Sequence, residues 1–110
     1  MDEATFLVAA EATMQQLEAA IEMAAEAADV DVDIDLQAGG VLQLTFEDDS
    51  QIIINRHAVA REIWVAARSG GFHFRPEGNQ WRGTRDGQDL WSMLTTLISQ
   101  QVGTTLKLIR

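Results

Sequence analysis

The stretch Asp29-Val30-Asp31-Val32-Asp33-Ile34-Asp35-Leu36 alternates a carboxylate with an aliphatic side chain at every step. Successive side chains on a strand point to opposite faces, so this pattern predicts a half-buried strand whose outward face is almost wholly carboxylate. The residues before it follow a different period. From about Ala4 to Ala28 there is no Gly or Pro and Ala is abundant, the composition of a long helix. At about 100° per residue, Phe6, Ala10, Met14, Leu17, Ile21, Ala24 and Ala28 fall along one side. Glu11, Glu18, Glu22, Glu26 and Asp29 form a neighbouring stripe. Helix surfaces that pair Glu with Lys at i,i+4 are stabilised by it; here no base is available and like charges repel. The chain therefore passes from an acidic helix into an acidic strand.

Downstream, Ala38-Gly39-Gly40 reads as a turn, followed by Val41 to Phe46 with Leu42, Leu44 and Phe46 on one face. Asp48-Asp49-Ser50 turns the chain into Gln51 to Arg56, completing an antiparallel meander of three strands. Between Arg61 and Arg68 the alternation of Ile63, Val65 and Ala67 with Glu62, Trp64 and Ala66 predicts a fourth strand, with a short helix as the alternative. Phe72-His73-Phe74 and Gln80-Trp81-Arg82 follow, separated by a turn at Pro76-Glu77-Gly78-Asn79. The spacing of Leu90, Met93, Leu94, Leu97 and Ile98 marks a second helix to about Gln101, with Asp86 as its candidate N-cap. A tail from Leu106 to Arg110 alternates weakly. The expected fold is α+β, a two-layer sandwich over residues 1–110 as one domain. Two helices pack on one face of a mostly antiparallel five- to six-stranded sheet, and the other face meets solvent.

Composition narrows the function. A hydrophobic fraction of 46% with one Pro supports a real core, and the absence of Cys removes thiol catalysis, zinc fingers and cysteine-ligated clusters from the chain's own chemistry. Residues 1–55 carry 13 acids and no Lys or Arg, whereas residues 56–110 carry 4 acids and 8 bases. Such a polarised field repels phosphates and anionic lipid from the acidic side and attracts cations and basic protein surfaces, over a Debye length of about 8 Å. Neither nucleic acid nor membrane is an expected partner. With no basic start, apolar leader or membrane-length run, a cytoplasmic location is expected.

Closely spaced carboxylates offer hard oxygen ligands suited to Ca, Mg, Mn or ferrous iron. The competing reading is a solubilising face joined to an edge strand charged against aggregation. An EF-hand is a poor fit, since its sixth loop position would be Ile34 in place of Gly and its twelfth Gly40 in place of Glu. His57 and His73 form no close ligand pair in sequence, and no nucleophile motif surrounds any Ser. Trp64 is expected on the open sheet face with Gln43, Thr45, Ile53 and Asn55, as a partner-binding candidate or a partly covered stiffening aromatic.

These residues also carry a resemblance. Gly39-Gly40-Val41-Leu42 through Thr45-Phe46-Glu47, Ser50-Gln51-Ile52-Ile53-Ile54-Asn55-Arg56, Glu62-Ile63-Trp64-Val65-Ala66, Gly70-Gly71-Phe72-His73-Phe74 and Trp81 follow one another in the order and near spacing of the frataxin family. The chain resembles the bacterial CyaY type of that family over essentially its whole length. It departs where Glu18-Ala19 and Glu22-Met23 stand in place of paired acids.

The resemblance implies the frataxin fold and an accessory, regulatory role in iron–sulfur cluster assembly. It also implies weak binding of ferrous or ferric iron by an acidic ridge, other divalent cations being alternatives, and docking on a cysteine desulfurase, with the scaffold protein as a further candidate. On this reading the metal-binding residues are Glu11, Glu18, Glu22, Glu26, Asp29, Asp31, Asp33 and Asp35. The partner-binding residues are Glu18, Glu22, Asn55 and Trp64. A monomer without a conventional catalytic site is expected. The alternatives are ferroxidase or iron-storage activity, and a metal-independent acidic adaptor.

Overall fold

The computed structural model describes residues 1–110, and its first element is the helix α1 (Glu3–Ala28). The first N–H groups of a helix have no partner inside it, and here the Asp2 side chain accepts the Thr5 N–H at 2.8 Å. The buried face comprises Phe6, Ala10, Thr13, Met14, Leu17, Ala20, Ile21, Ala24 and Ala25; Ala28 is only partly covered. Asp29 ends the helix in the left-handed conformation, φ 55° and ψ 47°, and its N–H closes on Ala25 and Glu26. The alternating stretch is therefore strand only from Val32. Its first acid serves as a helix terminator because Asp tolerates the left-handed region better than the branched residues beside it.

The six strands are β1 (Val32–Gln37), β2 (Val41–Phe46), β3 (Gln51–His57), β4 (Glu62–Ala67), β5 (Gly70–Glu77) and β6 (Gln80–Gly83), followed by α2 (Leu90–Val102). They pair in chain order and every neighbour is antiparallel, so the sheet is one continuous meander. The β1–β2 turn needs glycine at position 40: φ is +78°, and a Cβ there would strike the Arg56 side chain. Both helices cover one face, as the periodicity predicts. From the sheet, Leu42, Leu44, Ile52, Ile54, Ile63, Val65 and Phe74 meet α1 and α2 in one buried cluster.

Two local expectations are corrected. The loop expected from Pro76 to Asn79 shortens to Gly78-Asn79, because β5 continues through Glu77. Pro76 is tolerated there since it lies beyond Phe74, where pairing with β4 ends, and no ladder partner awaits its missing N–H on that side. The cap of α2 is Asp89, which accepts the Ser92 N–H at 3.1 Å; Asp86 instead turns the preceding loop by accepting from Gln88. The tail is no strand, yet Leu106 and Leu108 are buried and complete the core. No helix is long and apolar enough to cross a membrane.

Candidate metal and partner surface

Glu11, Glu22 and Glu26 are exposed along α1, Glu18 is half-buried, and Asp29, Asp31, Asp33 and Asp35 are exposed beyond it. The register sets Asp33 beside Thr45 and Asp35 beside Gln43, on the face of the sheet away from the helices. The two rows of acids thus flank β1 from opposite sides of the sheet. None of these eight carboxylates forms an ion pair: the four ion pairs are Arg68–Asp48, His73–Glu62, Arg75–Glu62 and Arg110–Asp89. Only Asp35 accepts a side-chain hydrogen bond, from Gln37 at 3.0 Å.

The carboxylates are close enough to share a field but not an ion cage. No three or more His, Asp or Glu side chains converge in a geometry that would hold a metal. Glu11 stands roughly 27 Å along the helix axis from Asp29, at 1.5 Å per residue, too far to share a cation with it. The fold instead adds acids from outside the expected ridge. Glu47 and Asp48 line a shallow depression with Asp29 and Asp31, and Glu47 and Asp49 line another with Asp31 and Asp33. The signal for them lay in the antiparallel pairing of β1 with β2, which brings Val32 opposite Phe46. Asp31 sits between both depressions.

Charge at the end of α1 runs against the helix dipole. The last turn holds Glu26 and the cap Asp29 with no base, although a helix C-terminus favours cations. Asp48 is engaged elsewhere: hydrogen bonds from the Ser50 side chain and backbone, and from Arg68, hold its carboxyl down at about 2.

The second part of the surface is the open sheet face. Asn55 pairs with Trp64, and Trp64 with His73, so both expected partner-binding residues stand side by side. The Asn55 side chain is half-buried. What sequence reasoning missed is the setting of Trp64. His57 stacks on the indole at 3.9 Å between centroids with 12° between planes, and His73 stacks at 4.4 Å and 10°. The indole N–H donates to Glu62 at 2.7 Å, Arg75 donates to the same carboxylate at 3.1 Å, and the His73 imidazole lies 3.3 Å from it. Glu62, expected on the polar side of β4, is only 7% exposed. Its burial would raise the carboxyl's pKa, but the hydrogen bonds from Trp64 and Arg75 and the charges of His73 and Arg75 outweigh that and hold it below its ordinary value.

Against known proteins, residues 1–104 match the family model of the frataxin-like domain. The chain is 50% identical over 108 residues to the "Iron-sulfur cluster assembly protein CyaY" of Dechloromonas aromatica, covering 98% of this chain and 99% of that protein. The fold matches frataxin from Psychromonas ingrahamii over the whole of both chains, with a TM-score of 0.83 at 29% identity. It also matches trimeric frataxin from Saccharomyces cerevisiae, a structure complexed with ferrous iron, with a TM-score of 0.75 at 26% identity over 87% of each chain.

Proposed function

The chain belongs to the frataxin family, and from that premise we propose that it is an iron-binding accessory and regulatory protein of iron–sulfur cluster assembly. Iron, ferrous or ferric, is its cargo, held weakly at Glu18, Glu22, Glu26, Asp29, Asp31, Asp33 and Asp35, with Glu11 as an outlying member of the same field. The partner is a cysteine desulfurase, reached through Glu18 and Glu22 on the ridge and Asn55 and Trp64 on the sheet. The scaffold protein is a second contact.

The observation that carries this reading is a set of eight carboxylates without one intramolecular cation. Exposed carboxylates of this kind are ionised at neutral pH, with model values near 4. Such a surface attracts a divalent or trivalent ion and a basic protein patch through the same field, so metal and partner influence one another. The lack of a convergent cage supports loose capture over a resident metal.

Titration with ferrous iron under anaerobic conditions, followed by amide NMR, tests the metal half. Broadening is expected from Glu18 to Asp35 and around Glu47 to Asp49. Broadening that is absent, or scattered over residues 56–110, sinks it. Cluster-assembly kinetics with purified desulfurase and scaffold at two iron levels, with and without this protein, test the role. A rate that ignores the protein at both levels excludes it.

A further inference from the structure

We infer that Trp64 meets its partner edge-on, through its benzo carbons in an apolar slot, and that Glu62, His57 and His73 are the positioning residues that fix the indole in that pose. The inference rests on the reading of Trp64 as a partner-contacting residue and specifies the chemistry of the contact. An indole offers a partner two ring faces, one N–H donor and a carbon edge. The two faces are taken by imidazoles from the strands on either side, His57 on β3 and His73 on β5, each nearly parallel to the indole. The N–H is taken by Glu62.

Only the carbon edge remains. An aromatic ring, a guanidinium or a nucleobase stacking on Trp64 would first have to displace an imidazole, and a carbonyl seeking the N–H would have to displace a carboxylate. The apolar setting continues around it, since Ile53 pairs with Ala66 on the same open face. The partner surface that fits is an aliphatic slot, with polar groups at its rim to meet the amide of Asn55.

Glu62 accounts for the rigidity. A carboxylate covered on the solvent side of a sheet is costly unless donors satisfy it. Here it accepts hydrogen bonds from Trp64 at 2.7 Å and Arg75 at 3.1 Å, with the His73 imidazole 3.3 Å away. The indole rotamer is thereby set before any partner arrives, which removes an ordering cost equivalent to roughly a 2- to 10-fold difference in affinity.

Binding of the full chain to a purified desulfurase–scaffold complex, read together with the tryptophan indole resonances by NMR, tests this. Trp64→Ala is expected to weaken binding roughly 30-fold or more, as for a central anchor. Glu62→Ala is expected to weaken it roughly 2- to 10-fold and to move the Trp64 indole N–H signal, while those of Trp81 and Trp91 report an intact fold. Glu62→Gln keeps an acceptor for the indole and is expected to recover most of the loss. Should Glu62→Ala disturb the fold, His57→Ala and His73→Ala carry the test, each expected to weaken binding. Wild-type affinity in Glu62→Ala with a large loss in Trp64→Ala overturns the positioning role while leaving Trp64 as the contact. Tighter binding in His57→Ala or His73→Ala overturns the edge-on pose, because an opened face would then be the better contact. Wild-type affinity in Trp64→Ala overturns the underlying reading as well.

Discussion

Trp81 donates its indole N–H to the hydroxyl of Thr13 at 2.9 Å, inside the core, tying β6 to the middle of α1. Phe6 packs edge-on against the same indole at 5.8 Å, so one aromatic joins the helix layer to the end of the sheet. Removing one partner of a buried hydrogen bond costs the other its solvation as well. Thr13→Val keeps the shape but leaves the N–H without an acceptor, and is expected to lower stability by about 1–3 kcal/mol in urea denaturation. A loss under about 0.5 kcal/mol would mean the N–H finds another acceptor.

Asp29 is the cap whose charge and conformation are both unfavourable for a helix end. Replacing it with Gly relieves left-handed strain and like-charge repulsion together, and the expected gain is about 1 kcal/mol in thermal denaturation without metal. Any stabilisation that ferrous iron gives the wild type is expected to be smaller in this variant. An unchanged iron response would remove Asp29 from the ligand field.

Neutralising the ridge should trade function for stability. Glu22→Gln, Glu26→Gln, Asp31→Asn and Asp33→Asn together remove repulsions of about 0.2–0.5 kcal/mol for each close pair, so the apo protein is expected to melt at a higher temperature. Desulfurase affinity is expected to fall and to lose most of its salt dependence. If affinity and its salt dependence both persist, these four acids do not hold the partner.

The acid limb of stability has an assignable contributor in Glu62. Its pKa in the folded protein lies below the ordinary 4.5, so folding is favoured by the ionised form. That contribution is complete above about 4.5 and is lost as pH falls through the lower, folded value. In Glu62→Gln this part of the pH dependence should vanish, which denaturation at a series of pH values would detect. Parallel pH curves for the two proteins would rule the assignment out.

Asp48 obeys the same sign in a more acidic window. With a folded value of about 2 against an ordinary 3.8, its contribution is present above 3.8 and disappears toward pH 2. Ser50 gives Asp48 two hydrogen bonds, from its N–H at 3.0 Å and its hydroxyl at 2.6 Å, against one from Arg68, so Ser50→Ala is expected to raise the Asp48 value more than Arg68→Gln, as read from its carboxyl carbon by NMR. The reverse order would make the Arg68 contact at 2.6 Å the principal cause.

Much of this molecule was legible one element at a time. The run from Ala4 to Ala28 reads as a helix because its apolar positions recur every three or four residues, and Asp29 to Leu36 reads as a strand because carboxylates cannot occupy a buried face. Both periods are local consequences of backbone geometry. Errors fell at junctions. Asp29 continued the alternating pattern in sequence while its backbone had already turned left-handed to end α1, and Asp86, expected to cap α2, gave way to Asp89, which lies directly before its first turn.

The layers, the acidic half and the family resemblance are written locally, because hydrophobic period, charge count and motif order are properties of neighbours along the chain. Which acids share a surface, and what surrounds Trp64, follow instead from strand pairing. Asp31 meets Glu47 and Asp49 because β1 pairs with β2 in one register. His57, Glu62 and His73 gather on one indole because three strands bring residues from separate segments to the same face. Such contacts depend on register, and a shift of one residue would turn every one of those side chains to the other face.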